Sequence, residues 1–344
     1  MGYNPFKKST FKKIVRYKDF VFIAGNIDEK TDVLRKLGKT SITKAKERVN
    51  YTSSYKSPDF FKHPLLAIRL KHQYGYLTNN VARKISFYTN YFLHAIYWGK
   101  VYPKYELPLT HNTYEGENKK HLLIYGKEDW CIRHLPAHFI MDCKLNLDFL
   151  AEKRNMELFN NIYNELINRH VDKISLKFLN GFKILKRAIE LENKENLYQG
   201  LSIPLLLLTT ASEFILLKRE DAKRSRLSVL YSRLVKLDDL TQIDIAKVLI
   251  VVYGWRSEFV HGGTEIYKGY KDDFSDGMAT QTYIYYKRLL SNLLCKSFYF
   301  ISMINRRNQE NTELSKEECW YIYLGNYWLK GGRIKKQFEL PRGV

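Results

Sequence analysis

The stretch "VYGWRSEFVHGG", Val252–Gly263, decides how the C-terminal half of this chain is interpreted. An apolar run with helical spacing leads into it from Thr241, whose hydroxyl can cap the first turn, and the pair Gly262–Gly263 stops the helix. The end of a buried helix is an unusual place for a permanent cation, an acid and a titratable base. These three groups belong to Arg256, Glu258 and His261.

The spacing of Arg256 and His261 limits how the two side chains can act together. On a regular helix their five-residue separation corresponds to a rotation of roughly 500°, which leaves them about 140° apart. Because two glycines follow, the last turn can unwind and bring the imidazole towards the arginine. A histidine that moves a proton and a guanidinium that holds charge on phosphorus suit RNA cleavage by its own 2′-hydroxyl, without a metal. The simpler interpretation of an isolated pair is a surface cation and a helix cap.

Helical patterns surround this segment from about Leu145 onward. The run Leu201–Leu217 is apolar on all sides, but it is short for a bilayer span and contains Pro204 and Glu213, so it predicts a buried core helix. The next segment predicts a helix whose inner face holds Leu227, Leu230, Tyr231, Leu234 and Leu237. One last long helix is predicted within "QTYIYYKRLLSNLLCKSFYFISMINRR", residues 281–307.

The two ends of the chain give mixed patterns. "DFVFIAG" predicts a strand that ends at Gly25, and a long apolar segment with helical spacing follows, broken near Gly75 and at Asn79. In the tail, β-branched and aromatic residues alternate with polar ones around Gly325, which predicts a β-hairpin. We therefore expect a mainly α fold with three parts. These are an N-terminal α/β or mostly helical region (1–148), a helical domain (149–307), and a linker with a hairpin-like tail (308–344).

Composition favours a polyanionic partner. The 344 residues carry a net charge of +21, and nucleic acid is the first candidate partner for such a chain, although a lysine-rich surface can also reflect genome composition. The start has no apolar core typical of a secretory signal, and the chain has four cysteines without a C-x-x-C pair. These features predict a cytoplasmic protein that does not interact with membranes.

The Val252–Gly263 segment resembles the signature helix of HEPN domains, whose mark is R-x(4–6)-H. It is most similar to the Apea-like branch, and the upstream apolar helix with an acid, followed by a Lys/Arg-containing helix, resembles the earlier helix pair of that branch. The resemblance covers residues 171–307. The matching motif positions are Tyr253, Arg256, Ser257, Val260, His261 and Gly262, with Glu213 as the upstream acid.

The resemblance implies an all-α bundle that forms a homodimer through its motif helices, so that two Arg–His sets converge on one metal-independent ribonuclease site. It implies Arg256 and His261 as catalytic residues. It also implies a role in anti-phage defence, abortive infection or toxicity, with an antitoxin or regulatory protein as a further partner. Ser257 stands where many HEPN domains have Asn, Asp or His. The expected supporting residues are Tyr253, Ser257, Glu258 and Glu213.

Basic residues near the motif are candidates for RNA contact. They are Lys218, Arg219, Lys223, Arg224 and Arg226. The plainer interpretation is a solvated helix face. The aromatic and basic tail (residues 319–340) is a weaker candidate for base stacking.

Three functions remain open at this stage. The first is an endoribonuclease that needs no cofactor, and the second is a non-catalytic RNA-binding or dimerisation module in a larger complex. The third is a metal-dependent nuclease, and we expect no metal because its candidate ligands are spaced too closely for a structural zinc site. These ligands are Cys131, His134, His138 and Cys143.

Overall fold

The computed structural model has a mainly α-helical fold. It describes residues 15–17, 20–23, 25–56, 61, 65–68, 79–102, 121–125, 130–134, 147–167, 172–194, 201–217, 223–263, 275–310 and 314–330. The described residues divide into two compact units. One lies within Met1–Asn90 and Pro103–Asn160, and the other within Tyr91–Tyr102 and Asn161–Val344.

Strands and helices alternate along the first part of the chain, in the order β1-β2-α1-α2-β3-α3-β4-β5, and helices α4 to α11 follow. The strands are β1 (Val15–Tyr17), β2 (Phe20–Ile23), β3 (Leu65–Ile68), β4 (His121–Tyr125) and β5 (Trp130–His134). The helices are α1 (Ile27–Gly38), α2 (Ile42–Tyr51), α3 (Asn79–Ile96), α4 (Lys153–Leu166), α5 (Lys173–Lys194), α6 (Ser202–Leu216), α7 (Lys223–Leu234), α8 (Gln242–Gly262), α9 (Ser275–Cys295), α10 (Ser297–Glu310) and α11 (Lys316–Lys330). Short π-helical turns follow α2 and α3 (Thr52–Lys56 and Tyr97–Val101), and a 3-10 turn precedes α4 (Leu147–Ala151).

The first unit is built on a three-stranded antiparallel sheet in the order β1-β2-β3. All four side chains of β2 are buried, and Val21 and Ile23 pack with Val33 of α1. The strand predicted in "DFVFIAG" is therefore confirmed, and the backbone turns after it at Gly25, whose φ of 112° favours glycine. A separate hairpin pairs β4 with β5.

The helical spacing predicted for the long apolar segment around Gly75 and Asn79 is wrong at its start, because Leu65–Ile68 pairs with β2 as strand β3. Helix α3 begins at Asn79, and the predicted break near Gly75 lies outside the described residues.

The second unit is a helical bundle in which α6 is the central element. This helix packs against α5, α7, α8 and α9, and Leu205, Leu208 and Ile215 are fully or almost fully buried. The prediction of a buried core helix is confirmed. No helix within the described residues is both long and apolar enough to cross a membrane.

A glycine allows α5, α6 and α9 to approach closely. A Cβ atom at Gly181 of α5 would lie 2.6 Å from Ile215 Cδ1 of α6 and 2.8 Å from Leu294 Cδ2 of α9. Glycine weakens a helix by roughly 1 kcal/mol relative to alanine, but here it fits three packed helices together.

The predicted inner face of α7 is confirmed for Leu227, Leu230, Tyr231 and Leu234, which are buried; Leu237 is also buried but lies beyond the end of the helix. The single long helix predicted for residues 281–307 is instead two helices, α9 and α10, which meet at Lys296. The amide of Lys296 still donates to the carbonyl of Asn292, so the hydrogen-bond ladder nearly continues through the junction.

The β-hairpin predicted for the tail is wrong, because residues 316–330 form helix α11. Trp320, Tyr323 and Leu324 recur at steps of three and four residues and are buried, and the helix packs against α5, α7 and α10. The indole of Trp320 donates to the Ile215 carbonyl of α6 at 2.9 Å. Burial of this helical stripe outweighs the strand propensity of the aromatic residues. Residues 331–344, which carry the remaining basic tail residues, lie outside the described residues.

Candidate active site

Helix α8 has well-defined ends, as its sequence predicts. The Thr241 side chain accepts a hydrogen bond from the Asp244 amide at 3.2 Å, and the Asp244 carboxylate accepts one from the Thr241 amide at 3.0 Å. Gly263 ends the helix with a φ of 68°. The helix is regular through Gly262, so the unwinding that we expected around His261 does not occur. Arg256 and His261 therefore stay about 140° apart on the same helix.

The inner side of α8 directs two side chains at one carboxylate of α6. The hydroxyl of Tyr253 donates to Glu213 Oε1, and Arg256 Nη2 lies 3.6 Å from the same oxygen. The Arg256 guanidinium also lies 5.5 Å from the centre of the Tyr253 ring, within cation–π distance. Burial and the Glu213 carboxylate raise the pKa of Tyr253, so its hydroxyl remains a donor at neutral pH.

Lys223 at the start of α7 completes this cluster. Its Nζ lies 2.9 Å from Glu213 Oε2, so one carboxylate interacts with two cations. The Glu213 side chain is 16% exposed and that of Arg256 is 22% exposed, so both charges are only partly hydrated. Two cations against one anion leave a net positive charge. Within the part of the chain that the structure describes, the Nε–H of Arg256 is buried and has no hydrogen-bond partner.

Ser212, the residue before Glu213, is the centre of a buried network of hydroxyl groups. The Ser212 hydroxyl lies 2.7 Å from the hydroxyls of both Tyr231 and Tyr286, and it also contacts the Leu208 carbonyl at 3.0 Å. The side chains of Ser212, Tyr231 and Tyr286 are fully buried. Sequence reasoning missed this network because both tyrosines fit an apolar helix face equally well. The network fixes α6 against α7 and α9, and thereby the position of Glu213.

The outer side of α8 is exposed and partly apolar. Ile243, Ile250, Gly254 and His261 lie within about 40° of one another around the helix axis. Ile243 is 67% exposed and Ile250 is 38% exposed, and a Cβ atom at Gly254 would meet nothing within 4 Å. We call this face, which also includes Lys247 and Ser257, the α8 seam. Its residues follow the alternating three- and four-residue steps of a helix–helix contact.

The remaining predicted site residues are less tightly placed. Ser257 and Glu258 are exposed on α8, and neither contacts the Glu213 cluster through a hydrogen bond or ion pair among the described residues. Arg224 is exposed on α7 and Arg226 is partly buried, while Lys218 and Arg219 lie outside the described residues. As predicted, α7 packs against α8. The structure thus joins Tyr253, Arg256, Lys223 and Glu213, and leaves His261 on another side of the helix.

The Cys/His segment of the first unit is only partly described. Cys131 and His134 lie in β5, whereas His138 and Cys143 fall outside the described residues. Within the described ranges, no three His, Cys, Asp or Glu side chains cluster closely enough to hold a metal ion. Comparisons with protein-family models, with curated proteins and with solved structures give no match to this chain.

Proposed function

We propose that the protein is a metal-independent endoribonuclease whose active site combines Arg256 and His261 from two copies of the chain. The observation that supports it best is the arrangement of α8. Its inner side holds Arg256 against Glu213, and its seam is uncovered by the described residues and ends at the exposed His261. The sequence resemblance to HEPN domains supports the same proposal.

The chemistry follows from these two groups. The 2′-oxygen attacks the adjacent phosphorus, the bond from phosphorus to the 5′-oxygen breaks, and the products are a 2′,3′-cyclic phosphate and a free 5′-hydroxyl. Histidine accepts the 2′-hydroxyl proton, and the leaving 5′-oxygen takes up a proton either from the imidazolium so formed or from water. The guanidinium of Arg256, whose side chain is 22% exposed, stabilises the charge on the phosphoryl oxygens.

Helix geometry supports a contribution from a second copy. In a regular helix Arg256 and His261 point in directions about 140° apart, so one chain does not direct both at the same phosphate. The seam carries Ile243, Ile250 and the small Gly254 at the spacing that suits pairing with another helix. Burying exposed isoleucines stabilises such a contact by about 25 cal/mol for each Å² of apolar surface removed from water.

Catalysis is tested with single variants on purified protein. His261→Ala and Arg256→Ala should each abolish cleavage of single-stranded RNA, and a chelator should leave the parent activity unchanged. Mixing the two inactive variants should restore part of the activity, because a mixed dimer contains one intact Arg256 and one intact His261. Undiminished cleavage by His261→Ala, or a requirement for a divalent metal, would contradict the proposal.

The dimer is tested separately through the seam. Ile250→Asp should give a monomer in light scattering and should lose RNA cleavage. Leu176→Asp is the matched control, since Leu176 is also exposed (48%) but lies on α5. An Ile250→Asp protein that is still a dimer would exclude the seam as the interface.

A cellular role in phage defence or as a toxin is supported by the resemblance alone. Expression of the parent chain should then arrest growth, and His261→Ala should not. A partner that restrains the activity would restore growth when co-expressed.

A second candidate function is a non-catalytic RNA-binding or dimerisation module. It is favoured by the contact between Arg256 and Glu213 within one chain, which occupies part of the guanidinium. The net charge of +21 suits RNA binding without cleavage. This candidate predicts salt-sensitive RNA binding that is equal in the parent and in His261→Ala, with intact RNA in both.

A further inference from the structure

A second basic cluster lies in the helical unit, away from Glu213. It contains Lys100 in the π-helical turn after α3, Lys236 just after α7 and Lys296 between α9 and α10. Asn292 of α9 brings the first two together. Its Nδ2 donates to the carbonyl of Gly99 at 3.0 Å and to that of Lys236 at 3.1 Å, and its Oδ1 accepts from Lys100 Nζ at 3.3 Å.

Lys296 also lies near Asn292, one helical turn further along the chain. It follows Asn292 by four residues, so the two side chains lie on one side of the helix. Its Nζ donates to the Leu234 carbonyl at 3.0 Å, two residues before Lys236. Lys100 and Lys236 are exposed, and Lys296 is partly buried. Hydrogen bonds to Asn292 and to the Leu234 carbonyl therefore hold the ammonium groups of Lys100 and Lys296 in place, and Asn292 fixes the backbone of Lys236 beside them.

The positive charge of this cluster is not balanced by a carboxylate among the described residues. None of the three lysines forms an ion pair there, and the nearby Asp239 is held by both terminal nitrogens of Arg288 at 2.6 and 3.0 Å. Burial, followed by the charges of Lys100 and Lys236, lowers the pKa of Lys296 to about 8. Such mutual repulsion favours the binding of an anion.

We propose that Lys100, Lys236 and Lys296 form a binding site for a phosphate group. Each ammonium offers up to three N–H donors, and a phosphate has acceptor oxygens and negative charge to match them. The phosphate belongs either to an RNA backbone or to a small phosphate compound. The site lies near the end of α7 opposite Lys223, about 16 Å along the helix axis. It does not rest on the proposed ribonuclease activity.

The test uses the reactivity of the Lys296 amine in the full chain. At pH 8 about half of this amine is uncharged, against under about 1% for an ordinary lysine, so acetic anhydride should label Lys296 ahead of ordinary lysines. Bound phosphate raises the pKa of Lys296, and a rise of one unit lowers the uncharged fraction to about a tenth. We expect inorganic phosphate to slow labelling about fivefold relative to chloride at equal ionic strength, measured by peptide mass spectrometry.

Variants and a second probe identify the site and the source of the phosphate. The double variant Lys100→Gln, Lys236→Gln changes two exposed side chains and should lose the phosphate effect, whereas Lys183→Gln on α5 should keep it. Protection by a 2′-O-methyl RNA oligonucleotide at lower concentration than phosphate assigns the site to the RNA backbone. Protection by inorganic phosphate alone assigns it to a small phosphate compound.

Two results would overturn the proposal. One is labelling of Lys296 at the same rate in phosphate, RNA and chloride. The other is protection that persists in the double variant. The measurement is repeated in the His261→Ala background, where the proposed ribonuclease is inactive, so that a failure of the phosphate site and a failure of the proposed function remain separate.

Discussion

The hydrogen bond from Tyr253 to Glu213 gives a quantitative test of how Arg256 is held. Tyr253→Phe removes the hydroxyl and keeps the ring, so it leaves almost no cavity. Tyr253 is 8% exposed and its acceptor is a carboxylate. A hydrogen bond to a charged group contributes about 1.5–3 kcal/mol, and Glu213 keeps Lys223 and Arg256 as partners. We therefore expect a loss near the lower limit, about 1.5 kcal/mol or roughly tenfold in the folding equilibrium.

The same change should no longer destabilise the protein when the acceptor is absent. In a Glu213→Ala background the buried Tyr253 hydroxyl has lost its acceptor, so Tyr253→Phe should be neutral or stabilising. Tyr231→Phe serves as the control, because its hydroxyl contacts Ser212 and should cost about 1 kcal/mol in both backgrounds. Urea unfolding followed by circular dichroism measures all six proteins. An equal cost of Tyr253→Phe in both backgrounds would refute the reasoning.

Three further predictions concern the helical unit. Gly99→Ala should destabilise it by about 1–3 kcal/mol in urea unfolding, because a Cβ atom would lie 2.7 Å from the Asn292 backbone nitrogen. Gly325→Ala is the control: a Cβ atom there meets no atom within 4 Å, so the change should stabilise the unit by about 0.5–1 kcal/mol. Trp320→Phe should cost more than about 1 kcal/mol in the same assay, because it removes a buried hydrogen bond and leaves a cavity. The hydrogen bond and charge of Arg288 hold the pKa of Asp239 below its ordinary value of 3.8, so Asp239→Asn should lower the stability of the protein at pH 7. As the pH falls below about 4, the stability difference between variant and parent should shrink. Thermal unfolding at a series of pH values would measure this difference. Stabilisation by Gly99→Ala, an unchanged midpoint for Trp320→Phe, or a pH-independent effect of Asp239→Asn would contradict the respective argument.

Local patterns predicted the second unit well where one face of a helix is buried. The inner face of α7 and both ends of α8 follow from residues within a few positions of each other. The same reasoning failed for α11. There the buried stripe of Trp320, Tyr323 and Leu324 competes with a strand-like composition, and the packing partners that decide the outcome lie on other helices.

The two charged clusters differ in how far the sequence could predict them. Glu213 is an acid within an apolar helix, and the resemblance to HEPN domains made it a candidate before its partners were seen. The contact between Lys100 and Asn292 spans 192 residues, and neither residue is unusual in its local sequence. Contacts of this kind depend on how distant helices pack, so the phosphate site that we propose becomes visible only in the folded chain.

The regularity of α8 to its last residue determines what the proposed reaction requires. An unwound last turn would allow one chain to combine Arg256 and His261, but the helix remains intact through Gly262. Arg256 is held against Glu213 on the inner side, whereas His261 ends a partly apolar seam that the described residues leave uncovered. If both groups act on one phosphate, the second group must therefore come from another copy or the last turn must rearrange. Recovery of cleavage on mixing Arg256→Ala with His261→Ala would require the first explanation, because rearrangement within one chain cannot supply the residue that each variant lacks.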